Sequence, residues 1–391
     1  MASRRSVLLG MGAAGLVRPA PAKTSGVLSE LGLRPVLNFA GTHTTIGASK
    51  PWPELREAMA EAGEHFLVLE EIQEKVGERI ARLCGTEAAM VTSGCAGAIA
   101  LGTYACLTGE DSKKIRQLPD LTGMKTEVVI QKAHRNGYDH AIRGAGVRIV
   151  EVDTPAELDA ALARGPAMMY FLGGTSHDWE WETPLKLDVC VAACRKAGVP
   201  LMVDAANMLP PWGNIPKLAA AGADLIALSA GKHMRGPQSA GILAGPKSVI
   251  RAAWLNSSPH SDSQGRPFKV GREEMIATWL AAEKYSKLDF DALDKQCERQ
   301  AAYLMKAFAK LGLTVKKTPF DRTRRVHRVQ VSWDEKKLGM TAAQAERSLK
   351  EGEPRIAVGR AKPQGLEFTV FMNDPGDERI AAARMEEIFK G

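Results

Sequence analysis

The chain has 391 residues, 45% of them hydrophobic, a net charge of +7 and six cysteines. That length buries a large core and suggests one large and one smaller domain. No run beyond the N-terminus is long and apolar enough to span a bilayer. The charge is modest, because Arg4, Arg5 and Arg18 supply three of the seven positive charges and residues 1–22 hold no acid, so removing them leaves +4.

Residues 1–22 read as an export signal. Paired arginines in Ser3-Arg4-Arg5-Ser6-Val7-Leu8-Leu9 precede a short apolar stretch, and Ala20-Pro21-Ala22 supplies the small residues that a signal peptidase needs. The pattern is similar to a twin-arginine signal, with Val7 where Phe is common, and implies a periplasmic enzyme; the alternative is a basic N-terminal tail on a cytoplasmic one. After it, residues 53–84 read as helical, with Leu69, Ile72, Val76, Ile80 and Leu83 at helical spacing. From Gly85 strands and helices alternate. Apolar strands are predicted at Ala88–Thr92, Val128–Ile130, Val147–Val152, Met168–Leu172, Leu201–Val203, Leu225–Ser229 and Ala240–Ala244, with helices at Ala98–Leu107, Pro155–Ala163 and Leu187–Ala197 between them. Continuous apolar strands alternating with helices give an α/β fold, a mostly parallel sheet with helices on both faces.

The polar, turn-rich segment Asn256–Gly265 is predicted to be an exposed loop. Helices at Glu273–Lys287 and Leu293–Lys310 follow. From Leu313 the chain reads as a compact α+β unit, with strands Val326–Trp333, Ile356–Val358 and Glu367–Phe371 and helices Ala342–Lys350 and Asp377–Phe389. Lys316, Lys317, Arg322, Arg324, Arg325 and Arg328 form a basic cluster. A nucleic-acid reading exists for it, but Phe320 is the one aromatic residue interleaved, so a solvated edge of the small domain is the better reading. The cysteines form no C-x-x-C pair. Cys190 and Cys194, one turn apart in a predicted helix, read as buried thiols rather than zinc ligands.

Four features fall at the ends of successive sheet elements, where open α/β folds place their ligands. Thr92-Ser93-Gly94-Cys95-Ala96-Gly97 is a small-residue turn between a strand and a helix, able to present backbone N–H groups to an anion. His134, past the Val128–Ile130 strand, could stack on an aromatic ring, although alone it would pass for a loop histidine. Asp204 directly follows an apolar strand, where a carboxylate needs a partner such as a protonated pyridine nitrogen; alone it could cap the next turn. Lys232 stands just beyond the Leu225–Ser229 strand, where a lysine can lose basicity and form a Schiff base, with Ser229 placed to reach a phosphate.

In this order and spacing the four features resemble the fold-type-I pyridoxal-phosphate enzymes, with the aspartate-aminotransferase architecture. The finer resemblance is to the selenocysteine synthase and D-glucosaminate-6-phosphate ammonia-lyase group. It is carried by Val36-Leu37-Asn38-Phe39-Ala40-Gly41-Thr42, Gly85-Thr86-Glu87-Ala88-Ala89, Lys232 followed by Gly236-Pro237-Gln238, Lys269-Val270-Gly271-Arg272-Glu273 and Gly352-Glu353-Pro354-Arg355-Ile356. After the signal at 1–22, the chain is expected to divide into an N-terminal segment at 23–52, a large cofactor domain at 53–290 and a small α+β domain at 291–391. The resemblance implies pyridoxal 5'-phosphate bound by Lys232 as a Schiff base, Asp204 on the pyridine nitrogen and His134 on the ring. Ser93, Gly94, Cys95 and Ser229 would hold the phosphate, and Arg355 (or Arg360) would clamp a substrate carboxylate. Lys269 and Arg272 would reach a neighbouring subunit of a homodimer or higher homo-oligomer.

The chemistry so implied begins at Cα of a small amino-acid substrate. A β-eliminating ammonia-lyase is the first expectation; a selenocysteine-synthase-like transferase, an aminotransferase or a racemase are the alternatives. Too little chain precedes the catalytic region for a tRNA-binding domain, so no nucleic-acid partner is expected. An exported enzyme, held by no membrane after export, would meet neither charged tRNA nor sugar phosphates. A cofactor-binding protein without catalysis is disfavoured by Lys232, Asp204 and Arg355 together.

Overall fold

The computed structural model describes residues 26–174, 184–320, 325–361 and 364–390. The leader at 1–22, and Arg322 and Arg324 of the basic cluster, lie outside the described residues. Seven strands form the larger sheet: β2 (Ala88–Thr92), β3 (Glu127–Gln131), β4 (Arg148–Val152), β5 (Met168–Leu172), β6 (Leu201–Asp204), β7 (Leu225–Ser229) and β8 (Gly241–Gly245). A further five make the smaller one: β1 (Val36–Phe39), β9 (Thr314–Lys317), β10 (Arg328–Ser332), β11 (Arg355–Arg360) and β12 (Leu366–Thr369). The larger sheet runs β2-β8-β7-β6-β5-β3-β4 and is mixed. Neighbours from β4 through β7 pair parallel, while β8 runs antiparallel to both β7 and β2.

Burial explains why these strands read as unbroken apolar runs. The side chains of Leu201–Asp204 are buried on both faces, and those of β5 and β7 are buried up to their last residue. The helix Gly94–Thr108 is apolar around its whole circumference and packs on β7 and β8, as a fully enclosed helix must. Cys190 and Cys194 are buried in the helix Leu187–Ala197, and burial pushes both thiols up to about 12.

The smaller sheet runs β1-β11-β12-β10-β9. Its core is built on Phe39, Phe308, Val329, Val331 and Phe368. Strand β1 pairs parallel with β11, Val36 opposite Arg355 and Phe39 opposite Val358, so the N-terminal segment joins the C-terminal sheet across the length of the chain.

Two expectations need correction. The helix expected over 53–84 is two, Pro53–Gly63 and Leu69–Cys84, because Arg272 reaches over and donates to the carbonyls of Ala62 (2.7 Å) and Gly63 (3.1 Å), ending the first. The segment Asn256–Gly265 is not exposed at its start. Asn256, Ser257 and Ser258 are buried, and Asn256 donates to the Thr108 hydroxyl (2.8 Å) and the Ala252 carbonyl (3.0 Å). Asn256 Nδ2 and the Ser257 hydroxyl find partners inside, the latter the Trp254 carbonyl at 2.9 Å, whereas Asn256 Oδ1 is buried and makes no hydrogen bond among the described residues. The basic cluster lies along the edge strand β9 and its neighbours. Lys317 pairs with Glu298, Arg325 lies near Asp291 and Asp294, and Arg328 is 3.7 Å from Glu367.

Candidate active site

Asp204 closes β6 with a carboxylate almost wholly removed from water. Both its oxygens are occupied. Oδ1 accepts the Ala206 N–H at 3.0 Å and faces the Cys95 thiol at 3.4 Å, and Oδ2 accepts the Tyr170 hydroxyl at 2.8 Å. The neighbouring strand β7 ends at Ser229, half-buried, and three residues later Lys232 Nζ donates to Asn207 Oδ1 at 3.1 Å. Asn207 lies in the turn that leaves Asp204, so one loop carries the acid and the group that orients the amine. Burial first, then the Asp204 charge, pushes the Cys95 thiol well above its ordinary range, with the Lys232 charge opposing. Thiol, carboxylate and amine thus form one electrostatic neighbourhood.

The tight backbone around Lys232 explains the Gly-Pro-Gln element that stands out in the sequence. A Cβ on Gly231 would lie 2.5 Å from the Gln238 carbonyl oxygen, and the Gly236 N–H donates to the Ala230 carbonyl at 2.8 Å. The lysine therefore sits on a loop that folds back on itself and admits no side chain at its neck.

On the other side, Ser93 precedes the Gly94–Thr108 helix and its side chain makes no capping bond. Gly94 has φ +69°, in the left-handed region, and Gly241 at the start of β8 packs directly against it: a Cβ there would fall 2.3 Å from the Gly94 carbonyl carbon. Gly97 likewise leaves room for the Ser93 hydroxyl, 2.9 Å from where its Cβ would be. The result is a cradle of small residues opening on a helix N-terminus, the shape and polarity a phosphate group requires.

His134 is buried beyond β3. Its Nδ1 accepts the Leu172 N–H at 3.2 Å, and its ring meets Phe171 edge-on at 4.6 Å. The side chain is held in one orientation before any ligand arrives. The Cys95 thiol faces Asp204, which leaves its backbone N–H, the group expected to serve, for the anion cradle. Arg355 departs from its expected part. Its Nε donates to the Lys350 carbonyl at 2.9 Å and its other nitrogen reaches the Arg34 carbonyl at 3.4 Å. No residue of the Lys232–Asp204 constellation is among these partners. Arg360 pairs with Glu346 at 2.5 Å. Arg272, expected to reach a neighbouring subunit, is spent on the carbonyls of Ala62 and Gly63 in its own chain, while Lys269 is exposed.

Sequence reasoning missed the N-terminal segment as part of the site. Ser49 Oγ donates to the Gly231 carbonyl at 2.7 Å, Trp52 Nε1 to the Met234 carbonyl at 2.9 Å, and Arg235 Nε to the Lys50 carbonyl at 2.8 Å. Arg235 has φ +57°, unusual for a residue with a side chain, and its guanidinium lies 4.0 Å over the Trp52 ring. The loop bearing Lys232 is thus clasped by chain from 180 residues upstream. Tyr170 and Asn207 were also missed. The arrangement fits pyridoxal phosphate: a buried carboxylate for a ring nitrogen, an amine on the adjacent strand end, and a glycine-lined cradle for the phosphate.

No protein-family model matches the chain. Compared with characterised proteins, it is 30% identical to a D-glucosaminate-6-phosphate ammonia lyase of Salmonella typhimurium over 383 residues, covering 93% of this chain and 98% of the relative. It is 28% identical to a 5'-C-glycyluridine monooxygenase-decarboxylase of a Streptomyces species, covering 92% and 91%. Among solved structures, a D-glucosaminate-6-phosphate ammonia-lyase superposes with a TM-score of 0.81 at 27% identity, over 94% of this chain and 99% of the other. A serine palmitoyltransferase carrying pyridoxal phosphate superposes with a TM-score of 0.58 at 15% identity, over 90% and 87%, which is a likeness of fold.

Proposed function

The chain belongs to the fold-type-I pyridoxal-phosphate family that includes D-glucosaminate-6-phosphate ammonia-lyase, and on that premise we propose that it is a β-eliminating ammonia-lyase. It is a pyridoxal-phosphate enzyme acting on an amino-acid substrate. When bound, the cofactor draws electrons from the substrate's Cα and makes the proton there acidic. The chain's own residues do the rest. Lys232 would hold the cofactor covalently and, freed when the substrate amine takes its place, would remove the Cα proton. The same amine can protonate the group leaving Cβ, so elimination needs no second base nearby. Elimination breaks the Cα–H bond and the bond from Cβ to the leaving group and forms the Cα=Cβ double bond; the enamine, released as the Lys232 amine takes back its place, gains a proton at Cβ and is hydrolysed by water to a 2-oxo acid and ammonia. Asn207 aims the amine. Asp204 would meet the ring nitrogen, His134 would cover the ring, and Ser229 with the Ser93–Cys95 turn would hold the phosphate.

The observation that carries this reading is the Lys232 amine held against Asn207, beside the buried Asp204, in a chain similar over 93% of its length to an ammonia-lyase. Residues 1–22 supply the second part, export by the twin-arginine route, which favours an unphosphorylated periplasmic substrate; a reporter fused to them should leave the cytoplasm, and its retention rejects export. To test the chemistry, the protein is loaded with pyridoxal phosphate and offered D- and L-amino acids with a β-leaving group, serine first. Ammonia and 2-oxo acid should appear in equal amounts. Racemisation without ammonia sinks the lyase. A cofactor that borohydride still fixes to Lys232→Ala sinks the assignment of the lysine.

A further inference from the structure

We infer that Tyr170 and Cys95 are positioning residues that keep Asp204 anionic and thereby keep the proton on the cofactor's ring nitrogen. The inference rests on the reading of Asp204 as that nitrogen's partner. A buried pair of pyridine nitrogen and carboxyl group has two resting places for its proton: on nitrogen, as an ion pair, or on oxygen, as a neutral pair. Removal from water favours the neutral pair, because burial penalises charge. A ring that loses its proton to the carboxylate loses most of its power to draw electrons from Cα. Hydrogen bonds from neutral donors to the carboxylate oppose this, since they stabilise its charged form.

Asp204 has three such donors. One is the Ala206 backbone N–H, fixed by the turn, and the other two are the Tyr170 hydroxyl on Oδ2 at 2.8 Å and the Cys95 thiol on Oδ1 at 3.4 Å. The tyrosine is fully buried in β5, where Phe would fill the same space and leave no polar atom to satisfy. Its hydroxyl therefore has a role that packing does not explain. Both side chains remain donors across the working pH range: burial, then the Asp204 charge, drives the phenol and the thiol well above their ordinary values. Nearby, Asn136 Nδ2 donates to the His134 carbonyl at 2.9 Å.

The experiment reads the ring nitrogen directly. Holoenzyme is prepared with 15N-labelled pyridoxal phosphate, and the nitrogen chemical shift is compared in wild type, Tyr170→Phe, Cys95→Ala, Cys95→Ser and Asp204→Ala. Tyr170→Phe and Cys95→Ala should each move the signal towards the unprotonated ring. Cys95→Ser, which keeps a donor, should hold the wild-type value. Asp204→Ala separates the two levels of the argument. If its signal moves while those of Tyr170→Phe and Cys95→Ala stay at the wild-type position, the inference is overturned and the reading of Asp204 survives. If Asp204→Ala leaves the signal unmoved, that reading falls and the inference falls with it. A signal displaced equally in Cys95→Ser and Cys95→Ala assigns the thiol to packing and overturns its part.

Discussion

The guanidinium of Arg355 is turned to the carbonyls of Lys350 and Arg34, one in the last turn of the helix Ala342–Glu351 and one just ahead of β1. An arginine in that setting fastens the N-terminal strand to the sheet that receives it. A residue clamping a substrate carboxylate would lose about 1.5–3 kcal/mol of binding on removal, roughly a tenfold to hundredfold rise in KM. Arg355→Gln is expected instead to leave KM within about twofold and to lower stability by about 1 kcal/mol. Steady-state kinetics beside a urea unfolding curve decide between the two, and a hundredfold KM would return Arg355 to the substrate.

At the scale of elements, the short segment after β3 needs its own anchor, because it carries His134 and has little regular structure. Asp139, buried, supplies it by accepting from Arg135 Nε at 2.6 Å and Arg143 Nε at 2.9 Å. Burial alone would raise this carboxyl; the two arginines outweigh it and hold it below its ordinary value. A lowered carboxyl stabilises the fold above its unfolded-state value and ceases to do so as pH falls through the folded one. The contribution should be intact at neutral pH and fade below about pH 4. Asp139→Asn should cost about 2 kcal/mol at pH 7, less than a fully buried pair loses because both arginines reach solvent. The deficit should shrink in unfolding curves taken at pH 3. A difference that persists unchanged there would assign the loss to packing. The sequence showed that β3 ended near His134, but not this anchor, because an aspartate flanked by arginines four residues away on each side looks like any solvated charge pattern.

At the scale of the whole molecule, exposed apolar side chains cluster in two stretches among the described residues. Val27, Leu28, Leu31 and Leu33 are exposed near the described N-terminus, and Phe66, Leu67 and Val68 protrude from the link between the Pro53–Gly63 and Leu69–Cys84 helices. Surface of this kind favours association, and we propose a second copy of the chain as its cover. Phe66 stands fully clear of its own chain. Phe66→Glu should therefore shift the sedimentation of the purified protein from dimer towards monomer at micromolar concentration. A wild-type protein that sediments as a monomer rejects the interface.

The sequence by itself determined the strands of the large sheet, nearly residue for residue, and placed Asp204 and Lys232 at or just past their ends. Strands buried on both faces are unbroken apolar runs, and the residues at their C-terminal ends are where chemistry is placed, so composition and order alone expose Asp204 and Lys232. The family resemblance singled out Gly236-Pro237-Gln238, and the fold gives a reason at Gly236, whose backbone closes on Ala230. Only the tertiary structure decided which way Arg355, Arg272 and the Cys95 thiol point, and that β1 and the Ser49–Trp52 segment reach the small sheet and the Lys232 loop. Those contacts join residues far apart in the chain, and the direction of a long or polar side chain depends on partners that local pattern does not encode. Tyr170 is the clearest case. In the run Met168–Leu172 it reads as one more core residue, and only the fold brings its hydroxyl to Asp204.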